Sequence, residues 1–234
     1  MATIINPYRF AAGGGGLDFD KTDLQAWWDL DDDSTWADSH TNGYHLTEDG
    51  TGVTNVANGG ADGTSDSADF PGTSGTDYLY RTDESWMDLT SDWTATMWVK
   101  LDTTSGFQII MDHANARWSI YMNSTKLTFY VQQAVNVNDL NLTLSAGTWY
   151  FIAARRNANL WDLRANATDE TQYVNTGSHS GGTGSLGIGR RAATDTNYML
   201  NGQMQRCSIW HRRLSDAELD DLYNSGNGVS YADL

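Results

Sequence analysis

Chemistry in this chain would have to come from five histidines, adjacent carboxylates such as Asp83-Glu84 and Asp169-Glu170, one thiol and a glycine-rich stretch. The histidines stand at 40, 45, 113, 179 and 211. None has H-x-x-x-H or other zinc-site spacing. His113 follows Asp112, and His211 ends the last strand pattern, so each reads as a satisfied turn residue. Hydrolysis of a glycosidic bond needs two carboxyl groups facing each other across a cleft. Asp83-Glu84 and Asp169-Glu170 are neighbours in sequence, whose side chains diverge on a strand, and both pairs read as solvated turns. Cys207 is the single cysteine, which leaves no internal disulfide; inside a strand pattern it reads as a small buried hydrophobe. The run from Gly181 to Gly187 precedes a strand, whereas a phosphate cradle opens a helix, so it reads as a hairpin turn. No serine elbow is present. These residues predict a chain that is not an enzyme.

Binding is a different matter. Sugars stack on exposed aromatic rings, and the chain has ten tryptophans and eleven tyrosines. Trp28, Trp36, Trp86, Trp118 and Trp161 are not assigned to core or surface by pattern alone, although most large aromatics of a sandwich fill it. A glycan-binding residue is therefore not named from sequence. The formal net charge of −16 disfavours nucleic acid as a partner, because phosphate contacts need a basic surface. It suits solubility, cation binding or docking on a basic neighbour. No window is long and apolar enough to span a membrane. The N-terminus lacks a basic region followed by an apolar run of signal-peptide length, so manufacture and assembly in a cytoplasm are expected.

The elements that would position such residues are strands. With 234 residues, two prolines and 23 glycines, the chain suits one strand-and-turn domain. Leu24 to Leu30 reads as the first strand, followed by an acidic run at Asp29 and Asp31 to Asp33. Residues 48–67 read as a long surface loop with room for one short strand. In Trp93 to Leu101 the odd-numbered residues Trp93, Ala95, Met97, Val99 and Leu101 make one face, and Thr94, Thr96, Trp98 and Lys100 the other. Further strands are expected at Phe107–Met111, Arg117–Met122, Lys126–Gln132, Leu140–Leu144, Trp149–Arg155, Leu160–Ala165 and Ser185–Gly189. In residues 203–210, alternation puts Gln205, Cys207 and Ile209 on one face and Met204, Arg206, Ser208 and Trp210 on the other. Ser215 with Glu218 then forms a capping box, opening a short helix that turns Leu219 and Leu222 inward and stops at Asn224 to Gly226. Repeated short strands separated by turns predict a two-sheet sandwich.

Residues 1–16 differ from the rest. Ile4, Ile5, Tyr8 and Phe10 cluster around Asn6-Pro7, and Gly13 to Gly16 form a flexible tether. Two readings stand: a strand packing on its own domain, or an arm reaching a neighbouring subunit. Residues 1–16 are taken as arm and tether, and 17–234 as the domain.

The C-terminal stretch resembles the signature of laminin-G-like, concanavalin A-like jelly rolls. Gly202, Met204, Ile209 and Trp210 match its strand half; Leu214, Ser215, Glu218, Leu219, Leu222 and Tyr223 match its helix half. Thr94, Trp98, Val99 and Lys100, the strand from Gly147 to Ile152, and Leu186 to Gly189 are similar to further family segments in the same order. The resemblance spans roughly residues 24–226. It implies an all-β, two-sheet antiparallel jelly-roll sandwich with one short C-terminal helix. The E-x-D-x-E strand of the family's β-glucanases is absent. The family's acidic pair is replaced by Gln205 and Arg206. By the same resemblance, Asp38 is the position from which a structural calcium ligand carries over, with the Gly43 carbonyl and Gln205 as companions; the plainer reading is that Asp38 and Asn42 hydrogen-bond the turn. No cofactor is required.

The first residues also resemble the I-N-P-Y-R-F starts of small tailed-phage virion proteins with lectin-like domains. Together these resemblances imply a non-enzymatic virion structural protein, for capsid decoration or cementing or for the tail, that forms a homo-oligomer with other virion proteins as partners. The alternative is a glycan- or receptor-binding lectin module, dependent on calcium or not. Fold alone does not separate the two.

Overall fold

A computed structural model describes residues 19–73, 76–114, 117–132, 137–158, 160–167, 169–174, 181–192 and 198–234, with backbone alone for 137–143 and 169–174. The arm residues Ile4, Ile5, Tyr8 and Phe10 and the tether fall outside them. Among the described residues the chain forms fifteen strands and one α-helix. The strands are β1 (Leu24–Trp28), β2 (Thr47–Asp49), β3 (Thr54–Val56), β4 (Ser67–Pro71), β5 (Tyr78–Arg81), β6 (Trp93–Leu101), β7 (Phe107–His113) and β8 (Trp118–Asn123). They continue with β9 (Lys126–Val131), β10 (Val137–Thr143), β11 (Trp149–Asn157), β12 (Leu160–Ala165), β13 (Asp169–Val174), β14 (Leu186–Ile188) and β15 (Asn201–Trp210), and the helix is α1 (Asp216–Tyr223). Every strand pairing is antiparallel. One sheet has the order β13-β12-β11-β6-β15-β4-β3, with β1 also on β15; the other runs β10-β9-β8-β7-β14-β5-β2. The all-β two-sheet sandwich with a short C-terminal helix is thus the fold.

The alternation in β6 is as expected. Trp93, Ala95, Met97, Val99 and Leu101 enter the core between the sheets, while Trp98 faces out of the eight-stranded sheet into a second cluster. That second cluster joins Trp27, Trp98, Phe151 and Trp210 to Leu214, Leu219 and Leu222 of the helix segment. Ser215 caps α1 as predicted: its amide donates to Glu218 Oε2 at 2.8 Å, and Glu218 N donates back to Ser215 Oγ at 3.3 Å. The helix therefore covers part of the outer face of the eight-stranded sheet. Charges pin it there. Buried Arg155 reaches Asp162 on the neighbouring strand, the Leu214 carbonyl and Asp216 of α1.

Four expectations need correction. In β15 the face does not alternate throughout. Arg206 takes a left-handed backbone (φ 49°) at an irregularity between Gln205 and Ser208, so Met204 joins Cys207 and Ile209 in the core. The extra residue inverts the alternation that period two predicts. It lies where the edge partner of β15 changes from β4 to β1. Asp169-Glu170 opens β13 and is not a turn. Residues 48–67, by contrast, hold the one short strand expected there, β3, between the ends of β2 and β4. The stretch at 181–187 is no hairpin: β13 lies in one sheet and β14 in the other, paired with β5 and β7. His113 is no turn residue either; it ends β7 fully buried.

Candidate functional site

The five tryptophans that pattern could not place are all buried, at 0% to 6% exposure. Stacking surfaces must be sought elsewhere, and the outer face of the seven-stranded sheet, partly covered by the segment after β14, supplies them. Alternation in β8 sends Trp118, Ile120 and Met122 inward and Ser119 and Tyr121 outward; in β9 it sends Leu127, Phe129 and Val131 inward and Thr128 and Tyr130 outward. In β7 an irregularity between Ile109 and Met111 lets Ile110 and Met111 both enter the core. Asp112 is then set opposite Ser119, on the outer face.

Phe107, Ser119, Tyr121, Tyr130 and Arg191 line a shallow depression of about 260 Å³ on this face. Phe107 stacks on Tyr121 (centroids 4.4 Å apart, 25° between planes) and meets Tyr198 edge-on at 4.8 Å. Tyr198 is the one large apolar side chain among the described residues that stands well exposed, at 45%. Arg191 arrives from the segment after β14. Its Nε lies 3.4 Å from Oδ2 of the fully buried Asp112. That segment crosses the sheet at Gly187, where a Cβ would fall 2.2 Å from the Arg190 carbonyl oxygen; only glycine permits the approach. Ser119 is 1% exposed, and its hydroxyl has no hydrogen-bond partner among the described residues. A buried polar group left unpaired costs about 1–3 kcal/mol, so a polar group entering the depression could gain by pairing with this hydroxyl. Concave, mostly aromatic surface with a few converging polar atoms is the usual make-up of a small-molecule site.

The residues singled out from sequence lie elsewhere. Asp38 is buried and holds a turn: Oδ1 accepts from the amides of Trp27 and His40, and Oδ2 from that of Tyr44, each at 2.9 Å. Asn42 caps the same turn through the Gln25 carbonyl at 2.7 Å. Gly43 sits in the turn with φ +69°. Gln205 serves another loop. With its amide oriented to satisfy both ends, it accepts from Ala61 N (2.9 Å) and donates to Ser65 Oγ (3.3 Å) and the Asp66 carbonyl (3.2 Å). Arg206 braces that loop through Asp62 Oδ2 and the Asn227 carbonyl, both at 2.6 Å. Asp38 and Gln205 thus belong to separate networks and are not gathered into one donor set for calcium. Among the described residues no group of three or more His, Cys, Asp or Glu side chains could hold a metal ion. Burial raises the Cys207 thiol far above its ordinary value, so it stays protonated. The signal for the face that carries the depression was present in sequence: in 118–122 and 127–131 hydroxyl-bearing residues alternate with wholly apolar ones.

Among solved structures, domain 4 of an extracellular arabinanase from Geobacillus stearothermophilus, complexed with arabinotriose, is similar at TM-score 0.64 and 15% identity; the match covers 85% of this chain and 97% of that one. The binding domain of botulinum neurotoxin serotype D matches at TM-score 0.66 and 15% identity, covering 87% of this chain and 52% of that one. A sialidase of Trypanosoma rangeli, complexed with sialic acid, matches at 0.68 and 11%, covering 90% of this chain and 34% of that one. At these identities the likeness is one of fold. No curated protein sequence matches the chain. The family model described as the concanavalin A-like lectin/glucanases superfamily matches residues 62–220. More than half of the sequence is covered by that match, and the chain belongs to the concanavalin A-like lectin/glucanases superfamily.

Proposed function

We propose that this chain is a non-catalytic saccharide-binding module that uses the outer face of the seven-stranded sheet. The carrying observation is the buried Ser119 hydroxyl, without a hydrogen-bond partner among the described residues, in the wall of an aromatic depression. A pyranose or furanose ring offers apolar C–H faces and a rim of hydroxyls. The rings of Phe107, Tyr121 and Tyr130 suit the faces, and Ser119, Arg191 and the tyrosine hydroxyls suit the rim. Arabinotriose and sialic acid in two structures of the same fold support a saccharide as the class of ligand. The non-catalytic reading is supported by the lining residues, none of which is a carboxylate, where glycosidic hydrolysis uses a pair. No metal is needed for this mode of binding.

The test is glycan-array screening followed by calorimetry on Ser119→Ala and Tyr121→Ala. Removing an orphaned hydroxyl relieves a penalty in the free protein, so Ser119→Ala should melt no lower than wild type yet bind its glycan about tenfold more weakly, a loss of roughly 1.4 kcal/mol. A variant that melts lower and binds unchanged would show that Ser119 serves the fold alone.

The setting we propose is the surface of a tailed-phage virion, on the resemblance of the first residues and the apolar arm Ile4, Ile5, Tyr8 and Phe10. There the module would be a decoration, cement or tail component, held to copies of itself or to other virion proteins. Deleting residues 1–16 should leave the circular dichroism spectrum intact, since β1 begins at Leu24, while abolishing oligomerisation or incorporation into the particle. Normal assembly of the truncated chain would remove the arm from this account.

A further inference from the structure

A fully buried carboxylate stands one strand behind the wall of the depression. Asp112 on β7 is the register partner of Ser119 on β8 and of Gly187 on β14. Directly paired residues point to the same side of a sheet, so Asp112 shares the outer side with Ser119, which lines the depression. It is 0% exposed nonetheless. The segment after β14 helps to roof this part of the sheet: the Arg190 carbonyl oxygen and the Ala192 amide lie 2.2 and 2.7 Å from where a Gly187 Cβ would stand. The field of the carboxylate toward the depression therefore passes through protein, where it is screened far less than in water.

Asp112 does not itself line the depression; it acts through Arg191. Arg191 Nε lies 3.4 Å from Asp112 Oδ2, and the Arg191 side chain is 20% exposed where that of Asp112 is not exposed at all. Among the residues lining the depression, Arg191 is the one cation. The adjacent Arg190 does not take its place, since its guanidinium carbon lies over the Tyr78 ring, 4.1 Å from the centroid. A guanidinium without a counter-charge is a docking point for carboxylates, which it grips bidentately. Paired with a buried carboxylate, it presents little net charge to a ligand, while a guanidinium carries several N–H donors besides Nε that suit neutral hydroxyls.

We propose that Asp112 sets the charge selectivity of the depression: by pairing with Arg191 it makes a site for uncharged sugar units that disfavours carboxylate-bearing ones. This rests on the saccharide-binding reading above and adds to it a specificity-determining residue that touches no ligand. An acidic sugar would bring its carboxylate to an arginine already neutralised from behind, and would meet the unscreened repulsion of Asp112. A neutral sugar meets the same arginine as a hydrogen-bond donor alone.

The test uses the full chain and an array that displays each neutral glycan beside its uronic acid counterpart, with calorimetry on the pair bound best. Wild type should bind the neutral member more tightly. Asp112→Asn, which keeps the shape and removes the charge, should shift the ratio toward the acidic member about tenfold. Arg191→Gln should shift it about tenfold the other way, because Asp112 then stands without its counter-charge. That variant also covers the case of an Asp112→Asn protein that folds poorly. Asp23→Asn, at an exposed position just before β1 in the other sheet, changes the net charge equally and should leave the ratio where it is. A carboxylate that served the fold alone would, when replaced, weaken both members alike. Wild type that binds the acidic member as well as the neutral one, or a ratio that neither Asp112→Asn nor Arg191→Gln moves beyond the Asp23→Asn control, would overturn the role of Asp112 and leave the depression as a saccharide site. No binding by any glycan would overturn both.

Discussion

Arg155 Nε lies 2.5 Å from Asp162 Oδ1, with neither side chain exposed to solvent. The two are cross-strand partners on β11 and β12, and Arg213 reaches the other Asp162 oxygen at 2.5 Å. Arg155 continues to Asp216 at 2.7 Å, and Arg164 is paired with Asp220. The network ties the sheet to α1. Removing one member of a buried pair leaves an uncompensated charge and typically costs about 3–5 kcal/mol. Asp162→Ala should lose that much in urea unfolding. Asp216→Ala, whose side chain is 65% exposed, should lose far less.

The outer aromatic cluster makes a second prediction. Trp98 stacks on Tyr223 of α1, with centroids 5.7 Å apart and 13° between planes, and is almost fully buried. Trp98→Ala should cost about 3–5 kcal/mol. Trp149 is half-buried and hydrogen-bonds the Gly59 carbonyl at 3.1 Å, so Trp149→Ala should cost clearly less. Equal melting points for both variants and wild type would contradict the packing of helix on sheet.

His113 gives the fold a pH dependence. Burial lowers its pKa, outweighing the opposing pull of Asp83, whose carboxylate is 3.4 Å from Nε2, and of Asp88. The folded imidazole therefore stays neutral where the unfolded one takes up a proton. Below about pH 6.5 the unfolded state binds more protons, and stability falls as pH drops toward the folded value. Thermal midpoints between about pH 5 and 7 should decline for wild type. His113→Gln should flatten that decline.

Much of this was legible in the sequence. The period of two in β6, β8, β9 and β11 and the Ser215–Glu218 capping box are local signals, set by strand pleat and helix end, and they appear at those positions. What was hidden depends on pairing partners. The Arg206 irregularity shows only once β4 and β1 share the edge of β15. The edge strands β2 and β3 have too few residues to display a period. The proposed face was missed because tryptophan drew attention, whereas the tryptophans are sequestered by size and apolarity. Ser119, Tyr121 and Tyr130 were visible as the outward half of two alternating strands, but a solvated face and a site share that pattern until the neighbouring Arg191 and Gly187 are in place.

Asp62 and Arg206 form an acid-sensitive clasp at the β15 irregularity. Burial raises the Asp62 pKa, but the amides of Ser65 and Thr64, the Arg206 guanidinium and the Ser65 hydroxyl outweigh it and hold the carboxyl well below the usual range. A lowered folded value gives stability that is present above the unfolded pKa of about 3.9 and is lost as pH falls through the folded one. Asp62→Asn should therefore lower stability at neutral pH and show a shallower loss below about pH 4. Arg206→Gly should also destabilise. It relieves a left-handed backbone but gives up two short hydrogen bonds, and hydrogen bonds to charged groups are worth about 1.5–3 kcal/mol each.

Asp38 separates turn chemistry from calcium chemistry. Its carboxylate already accepts three backbone amides, from Trp27, His40 and Tyr44. Asp38→Ala would leave those donors without their acceptor, at a cost of roughly 3 kcal/mol or more if two of the three bonds count at full strength. Asp38→Asn keeps one oxygen and should fall between. Because the carboxylate is committed to the turn, the melting curve of the wild-type protein should be the same in EDTA and in millimolar calcium. An ion that binds the folded state alone raises stability with its concentration. A calcium-dependent rise in the wild-type midpoint that disappears in Asp38→Ala would therefore place a metal at this turn and show that the amides share their acceptor with it. A rise that survives the substitution would place the ion elsewhere and leave Asp38 to the turn alone.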